Sequence, residues 1–241
     1  PILILNNNMN QTEKINTILK KLHLNSTHHL LEIGSGWGTL AIQAAKQYNC
    51  KVTTITLSKE QQKYITDKIK TESLDSLITV KLMDFRQLTN QYDRIVSIEM
   101  IEAVGHNYLP LYFKKIKTCL KPLGIIVLQA ITYPNHDYKK YKKRSDFIRK
   151  HIFPGGHLPS MEIIEKLLNK NKLTLTHQEN ITLSYAKTLS HWYQRFISKT
   201  TEIKTLGFDD HFIRKWRYYF NYCEAAFKTQ YLNTYQLVIK K

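Results

Sequence analysis

A chain of 241 residues is longer than the usual domain of about 100–150 residues and short of two, so one large α/β domain with insertions is the default. Hydrophobic residues at 42% and charged residues at 23% exclude disordered, collagen-like and disulfide-scaffold classes and leave enough apolar side chains for a sizeable core. The excess of Lys and Arg (36) over Asp and Glu (19) gives a formal charge of +17, which draws nucleic acid and anionic membrane alike before any specific contact forms.

The apolar runs, residues 124–128 among them, are far shorter than the ~20 residues of a spanning helix, so the chain is not expected to cross a bilayer. Three cysteines, Cys50, Cys119 and Cys223, without a signal-peptide pattern point to a reducing, cytoplasmic compartment. The chain opens on Pro1, and the apolar residues 2–5 followed by Asn6, Asn7 and Asn8 make a poor domain start, so a segment upstream is expected to be missing.

From Glu13, the positions of Ile15, Ile18, Leu19 and Leu22 predict a short one-faced helix. Residues 29–33 read as a strand that ends in Gly34-Ser35-Gly36-Trp37-Gly38, after which Leu40, Ala41, Ala44 and Ala45 resume helical spacing. Strand, helix and two strands follow at residues 52–57, 59–71, 78–82 and 94–98, and Leu109, Tyr112, Phe113, Ile116 and Leu120 mark an amphipathic helix. Lys121-Pro122-Leu123-Gly124 breaks the pattern, and residues 125–131 form a continuous apolar run of the kind buried on both sheet faces. Five strands with interleaved helices predict a parallel, doubly wound sheet. Residues 138–150, with seven Lys or Arg among Tyr138, Tyr141 and Phe147, read as an insertion. Helix at 161–168, strand at 173–183, helices at 189–198 and 211–227 and a strand at 231–239 complete the order. The histidines show no convincing ligand spacing, so no metal site is expected.

Glycines at a strand-to-helix turn supply positive φ angles and let a ligand approach bare backbone. The spacing here is neither the Gly-x-Gly-x-x-Gly of dinucleotide sites nor a phosphate loop with Gly-Lys-Ser/Thr. Leu31-Glu32-Ile33-Gly34-Ser35-Gly36-Trp37-Gly38 resembles motif I of the class I S-adenosylmethionine-dependent methyltransferases. Within that class, Thr56-Leu57-Ser58-x-x-Gln61 resembles one branch, the cyclopropane fatty acid synthases with the mycolic acid cyclopropane synthases and related lipid methyltransferases. Further matches occur in the family's order: 93–98, Glu102-x-Val104-Gly105, Phe153-Pro154-Gly155-Gly156-x-Leu158-Pro159-Ser160, Tyr185-x-x-Thr188-Leu189 and Cys223-x-x-x-Phe227. The resemblance covers residues 14–241 and implies a single Rossmann-like methyltransferase domain across 1–241, with a seven-stranded, mostly parallel sheet and helical lid insertions at 138–150 and 185–227.

By this resemblance Gly34, Ser35, Gly36, Trp37 and Gly38 would wrap the methionine and ribose of S-adenosylmethionine. Thr56, Leu57, Ser58 and Gln61 would hold the ribose and adenine side, and Phe85, with Asp84 and Arg86 beside it, would bracket the adenine. Glu102, the Ile131 backbone and Tyr185 would hold a bicarbonate ion as general base, and Cys223 would lie in the active site. Two departures stand out: Ala103 replaces the histidine of the usual Glu-His-Val-Gly, and Gln129 replaces the histidine that contacts the bicarbonate. Gln129 donates hydrogen bonds but carries no charge. The implied reaction is transfer to the cis double bond of a phospholipid acyl chain, with a methyl branch as the alternative to a cyclopropane. The Lys-rich stretch 139–150 is the expected contact with an anionic inner membrane face. An RNA methyltransferase is the rival reading, disfavoured because no RNA-binding module or Asn-Pro-Pro-Tyr-type motif is present, and a non-catalytic relic is the third.

Overall fold

A computed structural model describes residues 8–241, so the apolar residues 2–5 and the first two asparagines lie outside the described residues. Seven strands form one sheet: β1 His29–Ile33, β2 Lys51–Thr56, β3 Ile78–Leu82, β4 Tyr92–Ile98, β5 Leu120–Thr132, β6 Thr174–Asn180 and β7 Asn233–Lys240. Their order is β3-β2-β1-β4-β5-β7-β6. The first five run parallel, whereas β7 is antiparallel to both β5 and β6. The helices are α1 Asn8–Leu22, α2 Thr39–Tyr48, α3 Lys59–Thr71, α4 Ile101–Val104, α5 Leu109–Cys119, α6 Tyr138–Lys143, α7 Phe147–His151, α8 Met161–Lys170, α9 Thr182–Ser198, α10 Thr200–Thr205 and α11 Asp210–Lys228.

Alternation along each parallel strand sorts its apolar side chains to opposite faces. Leu31, Ile95, Ile126 and Leu128 join α5 and α8 in one core, while Leu30, Val96 and Val127 join α1, α2 and α3 in the other. A third cluster, centred on Phe196, Phe220 and Phe227, holds α9 and α11 together above the sheet. Side-chain caps fix several helix starts: Ser58 Oγ accepts from the Gln61 amide at 3.2 Å and Asp209 Oδ1 from the Phe212 amide at 2.8 Å.

The structure corrects four boundaries. Lys121 to Gly124, read as the break between α5 and a strand from 125, do follow the end of α5 but lie inside β5 as a bulge, with Leu123 at φ 61° and 90% exposed, because pairing with β4 shifts between Tyr92 and Arg94. The strand expected to reach 183 stops at Asn180, and α9 begins at Thr182, which puts Tyr185 on a helix. The short α10 has no counterpart in the sequence reading. The insertion at 138–150 is two short helices whose Tyr138 and Tyr141 are buried, so these rings face the protein while Lys139, Lys140, Lys142, Lys143, Arg144 and Lys150 are exposed.

Gly38 starts α2 at φ 81°, and a Cβ there would sit 2.9 Å from Ile65 Cγ2 on α3. Left-handed strain of ~1–2 kcal/mol adds to overpacking of ~1–3 kcal/mol. Gly38→Ala is therefore expected to lower unfolding free energy by ~2–4 kcal/mol in denaturant melts; a midpoint equal to the parent's would show that α2 and α3 can part freely.

Candidate active site

The chain leaves β1 towards one sheet edge and β4 towards the other, which opens a crevice at their C-terminal ends. The loops there touch: Ser97 Oγ donates to the Ile33 carbonyl at 3.1 Å, and a Cβ on Gly34 would lie 3.3 Å from Met100 Cγ. The amides of Gly34 and Ser35 both donate to the Ile55 carbonyl, at 3.1 and 3.0 Å, turning the glycine loop back over β2. Gly36, at φ 50°, has nothing within 4 Å of its Cβ position, so this backbone presents an open side. Beneath it the Thr54 hydroxyl bridges Ser35 Oγ at 2.7 Å and Glu32 Oε2 at 2.6 Å. Burial pushes the Glu32 carboxyl up to about 8, which makes it a neutral acid near pH 7.

The next two strand ends carry the other cofactor-side residues. Thr56 Oγ1 donates to Gln61 Oε1 at 2.7 Å and accepts from the Ser58 amide at 3.1 Å, a closed turn that leaves Leu57 73% exposed. Trp37 stands edge-on to Tyr64 at 5.3 Å. Past β3, Asp84 caps a 3-10 turn and binds Arg86 through Nε at 2.9 Å and Nη2 at 2.7 Å. The charges flanking Phe85 are thus spent on each other, and the Arg86 hydrogen bond holds the Asp84 carboxyl below its ordinary value. Phe85 itself is half-buried, edge-on to Tyr112 at 5.4 Å. Bare backbone at Gly36, an exposed Leu57 and a half-buried Phe85 ring fit a ligand with a flat apolar part and a polar tail.

On the β4–β5 side four predicted residues converge. Glu102, in the first turn of α4, accepts the Ile131 amide on Oε1 at 2.7 Å, while its Oε2 is shut from solvent without a hydrogen-bond partner. Burial, seconded by Glu99, pushes this carboxyl up to about 8. Near pH 7 it carries a proton, so the orphaned Oε2 is a place for an O–H donor or an anion's oxygen. Gln129, fully buried on β5, donates from Nε2 to Glu99 Oε1 and to the Tyr185 hydroxyl, both at 2.6 Å, and accepts from Gln236 Nε2 at 2.9 Å. Both amide protons are therefore committed within the protein. Gln129 thereby faces Glu99 and the Tyr185 hydroxyl.

Cys223 lies in the aromatic cluster with Tyr185, Phe220 and Phe227, and burial pushes its thiol up to about 12. It is held as a neutral thiol. A second polar chain runs from His106 Nδ1 through the Tyr138 hydroxyl to His157 Nε2, each contact 2.9 Å, and the His157 amide donates to the Glu102 carbonyl at 2.7 Å. Burial lowers His157 to about 4, so it is neutral. These two histidines, with Lys142, Arg149, Gly155 and Gly156, line an open cavity of about 600 Å³ beside the Glu102 main chain.

Sequence reading missed Glu99, His106, Tyr138, His157 and Gln236. Glu99 was reachable by position, since it follows β4 at the crevice; the others need the fold to bring them in. Among the described residues no group of three or more His, Cys, Asp or Glu is arranged to hold a metal ion.

A glycine turn after the first strand, a crevice between β1 and β4 and a reversed seventh strand define a class I methyltransferase fold. The mycolic acid cyclopropane synthetase family model matches residues 6–237, and the chain belongs to that family. It is 37% identical over 227 residues to a tuberculostearic acid methyltransferase of Mycobacterium tuberculosis, covering 94% of this chain and 53% of that protein. It is 35% identical to the cyclopropane-fatty-acyl-phospholipid synthase of Escherichia coli, covering 96% and 58%. The chain thus spans little more than half the length of these relatives. The crystal structure of mycolic acid cyclopropane synthase CmaA1 complexed with SAH and CTAB superposes with a TM-score of 0.88 at 28% identity, covering 96% of this chain and 84% of that one.

Folding raises the Glu102 pKa above the ordinary carboxyl value. Its contribution to stability is full in acid and is lost as pH climbs from that value through about 8, and Glu32 acts with the same sign. Glu102→Gln is expected to gain on the parent as pH rises, by ~2–4 kcal/mol between pH 5 and pH 9 in denaturant melts. A gap that does not change with pH would place the carboxyl in an ordinary, solvated environment.

Proposed function

We propose that this chain is the catalytic part of an S-adenosylmethionine-dependent enzyme that alkylates the cis double bond of an unsaturated acyl chain in phospholipid and closes it to a cyclopropane. The observation that carries this reading is the orphaned Glu102 Oε2, set at the same crevice as the open Gly36 backbone. The names of the two curated relatives supply the substrate class, a fatty acyl chain.

Gly34 to Gly38, Thr56 to Gln61 and the Asp84-Phe85-Arg86 turn would hold S-adenosylmethionine, with Phe85 and Leu57 against the adenine. When bound, it supplies an electrophilic methyl on a sulfonium. The alkene's π pair would form the new carbon–carbon bond as the sulfur–methyl bond breaks and the thioether leaves, with positive charge on the second alkene carbon. Aromatic faces such as Tyr185 and Phe227, 5.6 Å apart, shelter that charge. Protonated Glu102 and the Tyr185 hydroxyl would hold a small anion, with the Ile131 amide fixing Glu102 through Oε1; bicarbonate bound there would supply a base for the methyl proton lost on ring closure. The open cavity beside Glu102, with Lys142 and Arg149 at its wall, is the entry for the lipid. The exposed Lys139, Lys140, Lys143, Arg144 and Lys150 support peripheral contact with the anionic inner face of a membrane from the cytoplasm.

A second reading, a methyl branch without ring closure, is favoured by one observation: Gln129 brings neither a charge nor a spare proton to the anion. Nucleic acid is disfavoured, because Tyr138 and Tyr141 are buried and offer no stacking platform beside the cations.

Incubation with methyl-deuterated S-adenosylmethionine, bicarbonate and vesicles of unsaturated phospholipid, followed by mass spectrometry, is expected to give a ring methylene keeping two of three deuteriums. Three retained would establish the methyl branch. Product without a lipid adduct, or no cofactor binding by calorimetry, would overturn both. Gly36→Ala is expected to weaken cofactor binding by at least ~tenfold, with only ~1 kcal/mol lost in stability from its positive φ, as read by titration and melting.

A further inference from the structure

Glu179, Gln236 and Gln129 are lateral neighbours on β6, β7 and β5, paired in register. Lys21, near the end of α1, lies over this row with its side chain only 13% exposed and donates to both Glu179 Oε2 and Gln236 Oε1. Gln236 and Gln129 are 2% and 0% exposed, so neither amide can turn to water.

Amides have two ends, and packing alone does not say which way each points. Lys21 decides it. An ammonium has three donors and no acceptor, so Gln236 must offer it Oε1 and turn Nε2 towards Gln129. Gln129 must then accept on Oε1 and send both N–H bonds to Glu99 and Tyr185. At the far end Glu99, an acceptor, agrees with the same sense. With its oxygen accepting from Gln129, the Tyr185 hydroxyl keeps its own proton for a different partner. We infer that Lys21 and Gln236 are positioning residues that set the direction of every hydrogen bond through Gln129 and thereby make Tyr185 a donor into the site. Gln129 is a neutral amide whose direction is imposed along a buried row.

Gln236→Glu separates direction from packing. The new carboxylate still accepts from Lys21 but has no N–H for Gln129 Oε1, so the Gln129 amide is caught between acceptors at both ends and loses its fixed direction towards Tyr185. Lys21→Met removes the director while keeping the stem. The side-chain amide protons of Gln129, assigned by their loss in Gln129→Leu, are expected to exchange slowly in the parent and to shift and exchange faster in both variants. Unchanged Gln129 amide signals overturn the inference, and this readout does not depend on any activity. The second readout rests on the proposed methyl transfer. Gln236→Glu should lower kcat by roughly tenfold to a hundredfold with KM for lipid within about twofold, and should add nothing in a Tyr185→Phe background. Fully additive losses would mean that the row merely holds the sheet together and would also overturn it. Should the parent transfer no methyl group, the amide signals alone decide.

Discussion

The opposed departures of the chain from β1 and β4 are the constraint on which the rest of the molecule depends. Two parallel neighbours whose onward connections run to different edges leave nothing to cover their C-terminal ends. The glycine loop and the Glu99 to Glu102 loop meet there because the strands before them are hydrogen-bonded neighbours, as Leu31 opposite Ile95 and Glu32 opposite Val96 show. The Gly36 and Glu102 backbones inherit their positions from that pairing.

What collects in the crevice is polar but largely uncharged. Glu32 and Glu102 are pushed towards neutrality by burial, His157 is pushed towards its neutral form, and Gln129 is a neutral amide. A buried charge without a partner is costly, whereas a buried dipole needs only the correct neighbours. Direction, rather than net charge, therefore becomes the property the protein must control. The strong positive charge of the chain sits elsewhere, on exposed lysines and arginines such as those of α6 and α7.

Most of the sheet was legible from alternation and turn chemistry: β1, α3 and β3 fall on the residues their periodicity predicts. The failures share a cause in tertiary context. Lys121 to Gly124 carry the local signature of a break, yet pairing with β4 resumes beyond them and absorbs the extra residues as a bulge. Tyr138 and Tyr141 look like part of an amphipathic surface, but His157 and the Leu158 amide bond their hydroxyls inside. In the candidate site, the family's motif located Glu102, Ile131 and Tyr185 without showing that Gln129 would be fully engaged. Its partners Glu99 and Gln236 lie 30 and 107 positions away, and no local pattern links residues so far apart.

The antiparallel β7 is synthesised after β6 but lies between β5 and β6. While the ribosome is still making α9 to α11, β5 has an unpaired edge and β6 has no place in the sheet. Insertion of β7 joins them and delivers Gln236 to Gln129 in the same event. Closure of the sheet and assembly of the polar row are thus one late step in biogenesis, so a chain that stalls before it exposes a sticky strand edge and lacks the means to orient its own site.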